Sequence, residues 1–535
     1  MKKTAMLLGL SLVVLLTFFG CGQQEDGDMA ATGDDAAAAE FVIGNGAEPE
    51  SLDPHLVSGV PEHRIMMGIY EGLVTPDPES ATAMPGVAES WEISDDGTVY
   101  TFTLREDAQW SDGTPITAQQ FVDSWLRVLD PETAAPYAWF PSMFLQGAAE
   151  FNGGEAGPEA VAIRALDERT FQFETVGPLP YTLDALAHYS FAVVPMHAIE
   201  EHGSEWTLPE NFVGNGPYTL AAWDPQQQVV VEPSETYWNA DKVELDRVVF
   251  LPVEEDTTMY NMYINGEIDW ATNVPTGQLE EAQLRDDYHV SPYLGTYYYV
   301  FNNEREPLDD PRVRKALALA IDRELLVDTV TRAGQIPAFA MVPDMTGYPG
   351  IEGLGEDVET AQQLLADAGY ANGEGFPELT VLYNTNEAHK SIAEFIQQMW
   401  LDNLNINVTL ENQEWGTYLS TRRASNFDIA RAGWIGDYQD PNTFLDMFIT
   451  GGAMNGGQFS NARYDELIGQ AAQMQAGPER FAVLQEAEQI FIEEEMAVMP
   501  IYYYVNMNMI DLEEWGGWYA NVMGWHPVGD VASAN

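Results

Sequence analysis

Hydrophobic and polar positions follow two periods along this chain, and the switches between them mark its elements. In VYTFTLRED (99–107), Tyr100, Phe102 and Leu104 alternate with polar residues, the period of a half-buried strand. In ITAQQFVDSWLRVLD (116–130) the spacing becomes helical, with Phe121, Val122, Trp125, Leu126 and Leu129 on one stripe. Thr117 and Gln120 supply a T-x-x-Q capping box at its start. Asp310-Pro311 opens another helix, a capping carboxylate followed by proline at the first helical position, with Val313, Leu317 and Ile321 inward. The clearest unit is β-α-β. ELTVLYN (378–384) reads as a strand and SIAEFIQQMWLDNL (391–404) as a helix burying Ile392, Phe395, Ile396, Met399 and Trp400. NINVTLENQ (405–413) reads as the second strand and FDIARAGW (427–434) as a third. Such units predict an α/β protein with an open, mostly parallel sheet, whose ligands lie beyond the carboxyl ends of the strands. No period of 20–50 residues repeats, which argues against a solenoid or propeller.

One stretch past such a strand end carries chemistry. RAGWIGDYQDP (431–441) sets a single carboxylate, Asp437, between Trp434 and Tyr438. Burying a carboxylate among rings costs several kcal/mol unless a cation or several donors meet it. Position alone leaves two readings, a solvated loop acid or an acid that faces a ligand.

Composition narrows the class. The chain has 535 residues, 45% hydrophobic, enough for two or three domains with substantial cores. Its 85 acidic residues against 22 basic ones give a net charge of -63. That surface repels nucleic acid and anionic membrane, so both are poor partners for the body of the protein. The acidity runs through the whole sequence, which fits a protein working in high salt, where self-repulsion is screened. MKKTAMLLGLSLVVLLTFFGC (1–21) has the basic start and short apolar core of a secretory signal. Cys21, the single cysteine, follows that core directly. Its place looks like a lipoprotein processing site, although Phe18 and Phe19 depart from that pattern; ordinary cleavage or an uncleaved anchor are the plainer readings. Several acyl chains on Cys21 would hold the protein at a membrane, which is the only membrane contact expected. Residues 22–40 are rich in Gly, Ala and acid and read as a flexible tether, with the folded part starting near Phe41.

Signatures of catalysis are absent from the sequence. There is no G-x-S-x-G, no H-E-x-x-H, no Gly-rich phosphate loop and no cysteine nucleophile in the mature body. The eight histidines are scattered, and the nearest pair, His197 and His202, points to different faces of one helix. The reading is no metal, no cofactor and no enzyme, with a carboxylate-dependent hydrolase as the rival.

At this point a resemblance enters. PGVAESWEISDDGTVYTFTLREDAQWSDGTPITAQQFVDSWLRVLDP (85–131) looks like the signature region of the peptide/nickel family of extracytoplasmic solute-binding proteins, the receptors of ABC importers. AEPESLDPH (47–55), NGPYTLAAWDP (215–225), YYYVFNN (297–303), DPRVRKALALAIDRE (310–324), NQEWGTYLSTR (412–422), RAGWIGDYQDP and PIYYYVN (500–506) fit the same family in order. Several resemble its oligopeptide receptors more closely than its dipeptide or nickel receptors, with a receptor for dipeptides or murein peptides as the rival within the family.

The resemblance implies a two-lobe periplasmic-binding-protein clamshell with an extra domain, three structural domains in all. One lobe would combine 41–70, 195–295 and 505–535, the extra domain would be 71–194, and the second lobe 296–504. It also implies a secreted monomer, periplasmic or at the cell surface, that captures short peptides and hands them to ABC permease subunits. Asp437 is the position that would receive the peptide's α-ammonium, with the Tyr137 hydroxyl and the carbonyl of Ile435 beside it. Cysteine is familiar at 435, but a carbonyl contact tolerates the change. An ammonium has three donors, and those three acceptors match them. Ser58, Gly59 and Val60, with Gly433 to Ile435, stand at strand-pairing positions for the peptide main chain. Asn273, Trp415, Trp434 and Tyr504 match side-chain pockets. Arg431, Arg422 and His389 resemble positions that receive the terminal carboxylate as cations. Arg431 and Asp437, six residues apart, would stand roughly 20 Å apart in an extended segment, too far to pair.

Overall fold

The computed structural model describes residues 39–534; Cys21, the signal segment and most of the expected tether lie outside them. The longest sheet has eleven strands. At one end Val408–Gln413, Leu379–Asn384 and Ile429–Ile435 lie side by side in parallel. The helix Glu387–Leu404 makes the crossover and buries Ile392, Ile396 and Trp400, while Phe395 and Met399 are half-buried. It starts four residues before the predicted Ser391 because Asn386 caps it, its side-chain oxygen accepting from the N–H groups of Ala388 (2.9 Å) and His389 (3.3 Å).

The middle of the sheet corrects the mostly parallel expectation. Tyr288–Phe301 runs antiparallel to both Ile429–Ile435 and Val498–Ile510. Alternating hydrophobicity does not distinguish the two pairings, because side chains alternate across the sheet in both. The register of Tyr288–Phe301 against Val498–Ile510 breaks between Pro292 and Thr296. Beyond Val498–Ile510 the sheet continues through Trp270–Ala271 to Glu40–Gly44, which pairs in parallel with Arg247–Leu251.

A separate four-stranded antiparallel sheet contains Ala88–Ile93, Val99–Leu104, Thr170–Glu174 and Ile163–Ala165. The helix Ala118–Leu129 covers it, with Trp125 edge-on to Phe171 at 4.9 Å and tilted on Phe173 at 5.3 Å. Gln120 closes its half of the capping box, accepting from the Thr117 N–H at 3.0 Å. The helix Pro311–Leu319 is capped by Asp310, which accepts from the Arg312 N–H, as the sequence predicts. No helix of the described residues is long and apolar enough to cross a membrane.

Candidate functional site

The opening that gathers most of the expected positions is a cavity of about 150 Å³, roughly ten times what a single water needs. One wall is the helix Val60–Ile69. Val60, His63, Arg64 and Met67, spaced i, i+3, i+4 and i+7, line the cavity, while Ile65, Met66 and Ile69 face the core. The facing wall is the helix Trp415–Arg423, capped by Glu414, which presents Trp415, Leu419, Arg422 and Arg423. Arg423 joins the walls by pairing with Glu50 at 3.0 Å and donating to the Ser58 hydroxyl. The floor is the end of the strand Ile429–Ile435 and the loop after it, Gly433 through Asp437. That strand pairs with Leu379–Asn384 only at Ile429 and Ala430, so on that side the edge from Arg431 onward has no partner strand.

Asp437 is buried at one end, 7% exposed, and its Oδ2 has no hydrogen-bond partner. Its N–H donates to Thr443 Oγ1 at 3.0 Å, which fixes the loop. Burial pushes the carboxyl well above the ordinary carboxylate range; nearby Asp446 adds to this, and a hydrogen bond from Tyr137 opposes it. His188 Nε2 lies 3.7 Å from Oδ1. Burial, with His63 second, pushes His188 well below the usual histidine range, so it is neutral. The Ser190 N–H donates to its Nδ1, which leaves the ring proton on Nε2, toward the acid. The carboxylate therefore meets polar groups but no cation.

The cations stand elsewhere. Arg422 lies over the Tyr418 ring, and the ionisable groups acting on it are tyrosines and Arg431. Arg431 donates to Tyr504 Oη at 2.7 Å and to Asn384 Oδ1 at 3.2 Å, over the Tyr297 ring. Gly433 makes this packing possible, since a Cβ there would fall 2.4 Å from Tyr504 Oη.

Residues 82–456 match the family model for bacterial extracellular solute-binding proteins, family 5. The chain belongs to this family. The family-5 chain is 40% identical over 490 residues to the periplasmic oligopeptide-binding protein OppA of Escherichia coli, covering 90% of this chain and 89% of that one. Among solved structures it resembles Haemophilus influenzae OppA in complex with RPPGFSPFR, at 34% identity and a TM-score of 0.89, over 94% of this chain and 100% of that one. It also resembles the murein tripeptide-binding protein MppA of Escherichia coli, at 35% identity and 0.90, over 93% and 99% of the two chains. The unliganded open form of MppA fits less well, at 0.64, so the conformation here departs from that open arrangement. The fold is accordingly a two-lobe α/β clamshell with an extra domain.

In this family-5 receptor the cavity brings together Ser58, Gly59, Val60, Tyr137, Trp415, Arg422, Gly433, Trp434, Ile435 and Asp437 of the positions expected from the sequence. Four others do not line it. Asn273 lines a second cavity of about 170 Å³ with Asp256 and Asn384, reached past Trp415, which borders both. Arg431, Tyr504 and His389 cluster around Tyr297, whose hydroxyl is 3.4 Å from His389 Nδ1. His389 is not the cation expected: burial, and then the charge of Arg431, hold it neutral. The sequence reading missed His63, Arg64, His188 and Tyr189. Helical spacing in VPEHRIMMGI was a signal for the first two; nothing local marks His188. Among the described residues no cluster of His, Cys, Asp and Glu suits a metal ion.

Proposed function

We propose that this receptor captures short peptides between its lobes, holds them mainly by their main chain, and delivers them to an ABC permease. The observation that carries this is the charge layout of the cleft. One end holds a buried acid without a cation, Asp437; guanidiniums without a carboxylate, Arg422 and Arg431, stand away from it; an unpaired strand edge runs between. That layout complements an extended zwitterion. The ammonium meets Asp437, Tyr137 and the Ile435 carbonyl, the main chain adds as a strand at Gly433–Ile435 and Ser58–Val60, and the terminal carboxylate meets an arginine. Trp415, Trp434, Tyr504 and Asn273 would border side-chain pockets whose width and water tolerate varied residues.

The lobes follow the boundaries read from the sequence, the protein works as a monomer outside the cytoplasm, and lipid at Cys21 tethers it. It binds without turning over its ligand. Native mass spectrometry of purified protein tests this, with heterogeneous short peptides as the expected cargo. Incubation with peptides and glycans separates it from a hydrolase: released fragments, or a cargo of sugars, would overturn the reading.

A further inference from the structure

Arg64 has no part in the zwitterion scheme, yet it lines the same cavity. It sits on the wall formed by the helix Val60–Ile69, on the face that also presents His63 and Met67. Its Nη1 donates to Asn45 Oδ1 at 2.7 Å and to the Asn45 carbonyl at 3.3 Å. Its guanidinium carbon lies 5.1 Å from the centre of the Trp270 ring. These contacts occupy one nitrogen and one face of the group and hold the rest on the cavity wall.

No carboxylate compensates Arg64. The ionisable side chain that acts on it is Tyr293, and burial pulls its pKa down to about 10. The two histidines nearest in effect, His63 and His526, are both pushed to about 3 by burial and then by Arg64 itself. A half-buried guanidinium without an anion is costly, and it is stranger still in a chain with 85 acids. Arg64 and Arg431 face different tyrosines: Tyr293 acts on Arg64, Arg431 donates to Tyr504 Oη, and those two rings are 6.1 Å apart.

We propose that Arg64 is a specificity-determining residue that receives the carboxylate of an aspartate or glutamate side chain of the bound peptide. This rests on the peptide reading above. The receptor then prefers acidic peptides to their amide isosteres at one peptide position, because a charged carboxylate completes the guanidinium and a neutral amide does not.

Titration calorimetry on the whole mature protein tests it, using tetra-alanine in which glutamate or glutamine replaces each residue in turn. At one position the parent binds the glutamate peptide about tenfold or more tightly than its glutamine partner, the worth of a charge-assisted hydrogen bond. In Arg64→Gln that ratio falls to about one while tetra-alanine itself binds within about twofold of the parent, and Arg64→Lys keeps part of the preference. A ratio near one at every position in the parent, or a ratio that survives Arg64→Gln, overturns the proposal. If Arg64→Gln instead changes discrimination between free and amidated C-termini, the carboxylate is the terminal one and the proposal is also overturned. Failure of tetra-alanine to bind the parent at all overturns the peptide reading instead, and this inference with it.

Discussion

Replacing Asp437 by asparagine separates two effects of opposite sign. In the closed cleft the carboxylate is buried and its Oδ2 is unpartnered, so closing without a ligand forces it either to stay charged or to take a proton. Taking a proton at pH 7 from a starting value of 3.8 costs about 4 kcal/mol. An incoming ammonium removes that penalty by supplying the counter-charge, which is how binding and closure become one event. Asp437→Asn abolishes the penalty and the counter-charge together. Tri-alanine should lose about 2–5 kcal/mol of affinity, the cost of truncating one partner of a buried charge pair. N-acetyl-tri-alanine, which never formed the pair, should bind the variant as well as or better than the parent.

The pH dependence follows with a definite sign. The closed-state pKa is raised above the ordinary value, so the closed cleft binds more protons than the open one and empty or acetyl-filled closure is favoured at low pH and lost as pH rises. In the parent, acetylated peptide should therefore bind up to about tenfold more weakly for each unit between pH 5 and 7, while free-amine peptide stays nearly flat. In the variant both profiles should be flat. Calorimetry across that range decides the matter. Free-amine peptide binding the variant as it binds the parent, or a flat acetyl profile in the parent, would refute the reasoning.

Other expectations are simpler to measure. Glu62 is fully buried behind Gly59 and its carboxyl is raised from 4.5 to about 7, mainly by burial, so it destabilises the fold increasingly as pH climbs through that window. The stability of Glu62→Gln relative to the parent should therefore rise from pH 5 to pH 8, by up to about 3 kcal/mol; a constant difference in thermal melts would count against it. The Glu50–Arg423 pair joins the cavity walls but is partly exposed, so Arg423→Ala should cost every peptide about the same, less than about 1 kcal/mol in calorimetry, and a peptide-selective loss would contradict a purely bridging role. With a net charge of -63, the melting temperature should rise as salt is raised from about 0.1 M toward 1 M, where the screening length shrinks from about 10 to 3 Å, and a salt-independent melt would remove the high-salt reading.

What the sequence shows is local. The crossover unit at 379–413 is legible because its helix stripe, its strands and its cap lie within one short stretch, and Asp437 is legible because it follows a strand end directly. Pairing direction in the middle of the sheet is not, since Tyr288–Phe301 meets Val498–Ile510 across two hundred residues with the same alternation either pairing would produce. His188 is invisible for the same reason: its role depends on a loop 249 positions away and on Ser190 fixing its tautomer. The cationic reading of His389 failed because titration is set by surroundings, here by burial and Arg431.

Charge sorting is the feature that composition hides most completely. Where carboxylates outnumber guanidinium and ammonium groups nearly fourfold, an arginine on the surface meets an acid by default, as Arg312 meets Asp310 and Arg463 meets Glu486. Arg480, though buried, is paired too, with Asp440. Arg64, Arg422 and Arg431 instead face tyrosines, whose hydroxyls and rings hold a guanidinium in place without cancelling its charge. Random placement in so acidic a chain would not leave all three at one cleft uncompensated, nor leave the single acid at its far end without a cation. The cleft lacks anions at its arginines and a cation at Asp437, in separate places, and a ligand that carries both charges on an extended backbone supplies them together.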